Sequence, residues 1–150
     1  MQAPHNKSAR DSDTSPSAQI PEGFVEYQGG CHCGAVRFSV VAPTRIEAVR
    51  CNCSICNMGG YLHLIVPVSR FTLEQGQDQL SLYTFNAHVA KHYFCHHCGI
   101  KPYYIPRSNP DGVDVNLHCL DSPPEDIVIV DFDGENWEAN AASLAHKSRE

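Results

Sequence analysis

The 150-residue chain has no run of eighteen or more apolar residues, the length an α-helix needs to cross a bilayer, so no membrane-spanning helix is expected. Its N-terminus lacks an apolar core preceded by positive charge. No secretory signal is therefore expected, and the natural compartment is a reducing one, cytoplasmic or nuclear. Basic residues are scarce, with 11 Lys and Arg against 17 Asp and Glu and a formal net charge of -6. That balance works against non-specific binding to phosphate backbones, and no local basic patch or aromatic-basic interleaving offsets it, so a nucleic-acid partner is not expected. Fixed-period repeats are also missing. Low complexity is confined to the start of the chain, where the stretch from Ser8 to Ser17 is small, polar and aperiodic. Such a segment cannot bury enough apolar surface to offset its ordering entropy, so residues 1–20 are expected to form a disordered tail.

Cysteine is plentiful. Seven of eight fall into three clusters: Cys31-His32-Cys33, then Cys51, Cys53 and Cys56 in one short segment, then Cys95-His96-His97-Cys98. Thiolates one to three residues apart point into one small volume, a geometry that suits tetrahedral zinc better than a disulfide. A closed structural site takes four protein ligands, whereas a catalytic site takes three and keeps one position open, so seven clustered thiolates divide most simply as four plus three. Cys95 and Cys98 with Gly99 read as a knuckle, the glycine adopting the left-handed turn that lets amides approach a sulfur. Cys31 and Cys33 with Gly34 form a shorter version, preceded by Gly29 and Gly30 as a flexible approach. After the three-cysteine segment, Gly59 and Gly60 would leave space beside a metal. Spacing alone leaves the partition open, because the second cluster with Cys119 or a histidine would also satisfy zinc.

From Phe24 onward the pattern is that of strands. Val36–Val40 and Leu80–Phe85 alternate, Tyr61–Val66 is rich in strand formers, and Val89–Phe94, Tyr103–Ile105, Val113–His118 and Ile127–Val130 follow, punctuated by Pro and Gly. Only Glu135–Lys147 has helical spacing, through Trp137, Ala141, Leu144 and Ala145. The expected architecture is mainly β: one domain over residues 21–140, cysteine clusters at strand-turn junctions, and residues 141–150 as a C-terminal tail or helix end.

The run Gly29-Gly30-Cys31-His32-Cys33-Gly34-Ala35-Val36, the spacing of Cys51, Cys53 and Cys56, and Phe94-Cys95 with Cys98-Gly99 together resemble the glutathione-dependent formaldehyde-activating enzyme family, which also includes centromere protein V and its relatives. The stretches Ser108–Asp111, Val115-Asn116, Leu120-Asp121 and Phe132–Trp137 look closer to the centromere protein V branch. The resemblance covers residues 24 to 138. It implies a β-rich zinc-binding domain of Mss4-like fold with two zinc ions per chain. Cys31, Cys33, Cys95 and Cys98 would form a structural site, and Cys51, Cys53 and Cys56 an open site whose fourth position takes water or a thiol. The implied chemistry is that of a carbon-sulfur lyase, in which glutathione adds to formaldehyde to give S-hydroxymethylglutathione, so a small-molecule thiol and an aldehyde are the expected partners. A zinc-stabilised interaction module that docks a protein partner, or a labile zinc or redox sensor, is the alternative.

A general acid for such an addition could come from His63, His92, His96 or His97, none of which stands out in sequence. Carboxylates of glutathione would call for Arg50, Lys91, Lys101 or Arg107, each of which also reads as an ordinary surface charge. Cys119, in an apolar context, reads as a core residue. Tyr103 and Tyr104 read as wall or core, one hydroxyl of which could face the site. Asp131 and Asp133 are assigned no role.

Overall fold

The computed structural model describes residues 20–149, and the tail expected over residues 1–20 lies almost wholly outside them. Among the described residues, ten strands form two sheets. The smaller is antiparallel, in the order β1 (Phe24–Gly30), β2 (Arg37–Pro43) and β5 (Phe71–Gln75). The larger has seven strands in the order β10 (Asp126–Phe132), β3 (Arg45–Cys51), β4 (His63–Pro67), β9 (Gly112–Asn116), β8 (Tyr103–Ile105), β7 (Lys91–Cys95) and β6 (Leu80–Tyr83). All its pairs are antiparallel except β10 with β3. No helix among the described residues is long and apolar enough to cross a membrane.

Strand alternation explains where the core sits. Phe38, Val40 and Ala42 on β2 point one way, and their fully buried side chains meet Ile46 and Ala48 of β3, Leu64 and Val66 of β4, and Val113 and Val115 of β9 between the sheets. Phe71 stacks on Phe38 and contacts Tyr103, with centroids 5.4 and 4.7 Å apart, closing that core at the β8 end. Each fully buried apolar side chain of this size contributes about 1.5–3 kcal/mol relative to exposure.

The intervening residues of the large sheet face the other way, and β4 and β9 are buried there too. Val49, Ile65 and Leu144 form a second small core on this outer face, with Leu144 supplied by the C-terminal segment. That segment, where the spacing pointed to a short C-terminal helix, is helical but not one regular α-helix. It is a 3-10 turn, a four-residue α2 (Trp137–Asn140) and a longer 3-10 stretch, Ala141–Ser148. Local side chains explain the break: Asn140 Nδ2 donates to the carbonyls of Asp133 and Asn136, and Ser143 Oγ donates to the Asn140 carbonyl, competing with a regular helical ladder. The stretch is held down by Asn109, fully buried, whose amide donates to the Leu144 and Ala145 carbonyls at 2.8 and 3.3 Å and to Ser148 Oγ at 3.0 Å.

Candidate metal centre and cleft

Four sulfurs, those of Cys31, Cys33, Cys95 and Cys98, lie within 4.8 Å of one another. The turn after β1 supplies the first two and the end of β7 the last two, so the group joins the small sheet to the large one. Both turns use a left-handed glycine after the second cysteine and a backbone amide on the first sulfur, at different offsets. Gly34 and Gly99 adopt φ of 85° and 78°, their amides donate to the Cys31 and Cys95 carbonyls, and the Val36 and His97 amides donate to the Cys31 and Cys95 sulfurs at 3.3 and 3.4 Å. Gly29 and Gly30 serve space rather than flexibility: they are strand residues, and a Cβ at either would stand under 3.0 Å from its neighbours, including the Cys119 carbonyl and the Val36 carbonyl.

Cys51, Cys53 and Cys56 form the second group, again within 4.8 Å. Cys51 ends β3, Cys53 caps a helical turn that the sequence pattern did not signal, α1 (Ser54–Gly59), and Cys56 sits three residues on, where helical spacing returns it to the same side. Gly60 ends this helix in the left-handed conformation, and neither Gly59 nor Gly60 has an atom within 4 Å of where a Cβ would stand. The glycine pressed against the thiols is instead Gly134, where a Cβ would come 2.3 Å from Cys51 Sγ and 3.1 Å from Cys53 Cβ. Parallel pairing of β10 with β3 brings it there, Phe132 lying opposite Cys51. Asn52 then ties the turn in place, its amide donating to Asp133 Oδ1 at 3.1 Å and its carbonyl oxygen accepting from the Glu135 amide at 3.0 Å.

The donor sets fit zinc. The S–H groups of Cys51 and then Cys56 hydrogen-bond to Cys53 and hold it as a thiolate down to about 2, while contact with Cys53 pushes Cys51 up and contacts with Cys51 and Cys53 push Cys56 up. One thiolate thus suppresses the ionisation of the other two, and a dication is what allows all three to ionise together. Cys119 joins neither group, its thiol pointing at the Lys101 carbonyl 3.9 Å away.

The three-thiol group lies in a cleft of about 840 Å³. On its sheet wall a cross-strand row sets Asp114 beside Tyr104 and Tyr104 beside His92. His63, on the neighbouring β4, reaches Asp114 Oδ2 from Nδ1 at 2.7 Å, and the Tyr104 hydroxyl lies 3.5 Å from the same nitrogen. Among the described residues, the buried side-chain polar atoms without a hydrogen-bond partner are His63 Nε2 and Asp114 Oδ1, both of this dyad. Each orphan costs about 1–3 kcal/mol, a burden concentrated beside the thiols rather than spread through the core. Lys101 Nζ meets His92 Nδ1 at 2.6 Å and lies 4.9 and 4.1 Å from the ring centres of Tyr61 and Tyr104. Tyr61 donates its hydroxyl to the Asp114 carbonyl at 2.6 Å.

The sequence candidates separate accordingly. His63 and His92 line the cleft, whereas His96 and His97 are exposed beside the four-thiol group, His97 on Gln79. Alternation sends Tyr103 into the core and Tyr104 to the cleft. Of the four cations, Arg107 is the one lining the cleft, its guanidinium 3.4 Å over the Trp137 ring and 3.6 Å from Glu138. Arg50 is tied to exposed Asp131 at 2.8 Å, Lys91 is exposed, and Lys101 is committed to His92 and the two rings. Asp114, Tyr61 and Gly134 were missed: their sequence signals were an apolar strand, a strand start and an ordinary turn. The alternation Val113-Asp114-Val115, an acid inside a buried strand, is the signal that could have found the first of them.

A family model described as glutathione-dependent formaldehyde-activating enzyme matches residues 26–131. A Halomonas elongata protein, provisionally named a glutathione-dependent formaldehyde-activating enzyme, is 29% identical over 122 residues, which cover 73% of this chain and 78% of that protein. A crystal structure of a Rhodobacter sphaeroides protein is 33% identical, with a TM-score of 0.59 over 69% of this chain and 99% of its own.

Proposed function

Because the chain belongs to the glutathione-dependent formaldehyde-activating enzyme family, we propose that it is a zinc-dependent enzyme that adds a thiol such as glutathione to formaldehyde or a related small electrophile, a reaction of the carbon-sulfur lyase class. Cys51, Cys53 and Cys56 would hold one zinc ion, and Cys31, Cys33, Cys95 and Cys98 a second, structural one. Bound at the three-thiol group, the metal would lower the pKa of a substrate thiol and keep it as a thiolate. The observation that carries this reading is the contrast between the two groups: four sulfurs gather in one, while the other has three, joined by no fourth Cys, His, Asp or Glu among the described residues and bordering a cleft.

A cleft of about 840 Å³ is of the size that encloses small-molecule ligands. Phe85, Val89 and Trp137 give it apolar walls that limit water around the reacting atoms, and Arg107 offers a guanidinium to one carboxylate of the tripeptide. In the addition the sulfur-carbon bond forms, the carbonyl π bond breaks, and the proton lost by the thiol ends on the oxygen. The test is the exchange rate between free glutathione and S-hydroxymethylglutathione, followed by NMR with zinc-loaded protein and Cys53→Ser as control. Acceleration abolished by the substitution supports the proposal. No acceleration by protein carrying two zinc ions removes this reaction and leaves another substrate or a binding role.

A further inference from the structure

The cleft wall contains two imidazoles whose protons are set by neighbours of opposite charge. His63 faces the Asp114 carboxylate through Nδ1, so its neutral form carries hydrogen on Nδ1 and leaves Nε2 bare. His92 faces the Lys101 ammonium through Nδ1 at 2.6 Å. An ammonium has three donors and no acceptor, so Nδ1 of His92 must accept, and a neutral imidazole that accepts there carries hydrogen on Nε2. Burial first, and then the Lys101 charge, pull His92 down to about 4, which keeps it neutral near pH 7.

Both partners are held rigidly. The His92 ring is stacked between Tyr104, 4.7 Å away and 13° from parallel, and Phe85, 5.5 Å away and 27° from parallel. Lys101 cannot swing away without leaving the faces of Tyr61 and Tyr104. His92 is 4% exposed overall, and what it lines is the thiol-bearing cleft.

We propose that Lys101 locks His92 in the Nε2–H tautomer, and that this N–H is the donor that meets the oxygen of the electrophile in the cleft. The proposal rests on the thiol-addition reading above. As the sulfur-carbon bond forms, the oxygen takes the carbonyl electron pair. The His92 N–H hydrogen-bonds to that developing oxyanion, and the proton released by the thiol reaches the oxygen through solvent, so His92 is not consumed. His92 is thus a catalytic residue and Lys101 a positioning residue. His63, with Nε2 bare in its neutral form, cannot fill the same role.

The test uses zinc-loaded, full-length protein labelled with 15N at histidine. Long-range 1H–15N spectra report the tautomer of each ring directly, and the glutathione exchange assay reports rate. The expected result is the Nε2–H pattern for His92 in the wild type, kept in Lys101→Arg and lost to a mixture in Lys101→Met. His92→Phe preserves the ring stack and is expected to lower the rate by about 10²–10³-fold, the cost of removing one oxyanion donor, with two zinc ions retained. His92→Gln, whose amide N–H reaches toward the Nε2 position, should recover part of the loss. An Nδ1–H pattern in the wild type, or a His92→Phe rate within threefold of wild type, overturns the proposal while leaving the thiol-addition reading intact. A wild type that accelerates nothing overturns both. If His92→Phe fails to retain zinc, the rates of Lys101→Met and Lys101→Arg decide: loss in the first with retention in the second supports the lock, and equal rates overturn it.

Discussion

Replacing Gly134 by alanine tests whether the turn after β10 seats the three-thiol group. A Cβ there would stand 2.3 Å from Cys51 Sγ and 3.1 Å from Cys53 Cβ. Non-bonded heavy atoms of this kind are most stable near 3.5–4.0 Å, so either the sulfur or the turn must move by more than about 1 Å. The turn resists, because Asn52 holds both Asp133 and Glu135, and Asn140 holds the Asp133 carbonyl at 3.1 Å. The sulfur is the softer partner and will yield. Overpacking of this kind costs about 1–3 kcal/mol. For a domain of this size that corresponds to a fall in Tm of roughly 3–10 °C. Expressed at the metal, the same range is a second-site affinity weaker by about 5- to 150-fold. The assay is zinc competition against a chromophoric chelator alongside thermal unfolding, with Gly59→Ala as control because nothing lies within 4 Å of a Cβ at that position. Gly134→Ala that binds its second zinc as tightly as both the wild type and Gly59→Ala would refute the reasoning.

Three further substitutions probe how the parts are joined. Cys95 is fully buried in the group that ties the two sheets together, so Cys95→Ser should prevent cooperative folding, while Cys53→Ser should lose one zinc and keep the fold; equal destabilisation by both in circular dichroism melts would contradict the division of roles. Asn109→Ala strips the amide from the Leu144 and Ala145 carbonyls and from Ser148 Oγ, at a cost of about 2–3 kcal/mol, and should make Ala141–Ser148 the first site of limited proteolysis; wild-type resistance there would show that Leu144 packing suffices.

The legibility of the chain in sequence followed the range of the forces involved. Alternating strands such as β2 and the knuckle glycines at 34 and 99 were readable because strand period and backbone chirality are local properties. Helix α1 was hidden because six residues are too few to show an amphipathic period, and β3 and β5 were not singled out. At the C-terminus, helical spacing was real, yet asparagine and serine side chains at 140 and 143 interrupted the ladder and Asn109 fixed the segment from across the domain.

By itself the sequence determined the donor chemistry: seven thiols in three clusters, a mainly β chain, and a family signature carried by cysteines and glycines at fixed spacing. Only the tertiary structure decided which residues surround them. Gly134 reached Cys51 through a parallel strand pair between positions 81 residues apart, Asp114 met His63 across two antiparallel strands, and Lys101 met His92 under two tyrosine rings. Such encounters depend on register and on which face of a strand is buried, and a one-residue slip would send the side chains of His63, His92 and Asp114 to the other side of the sheet.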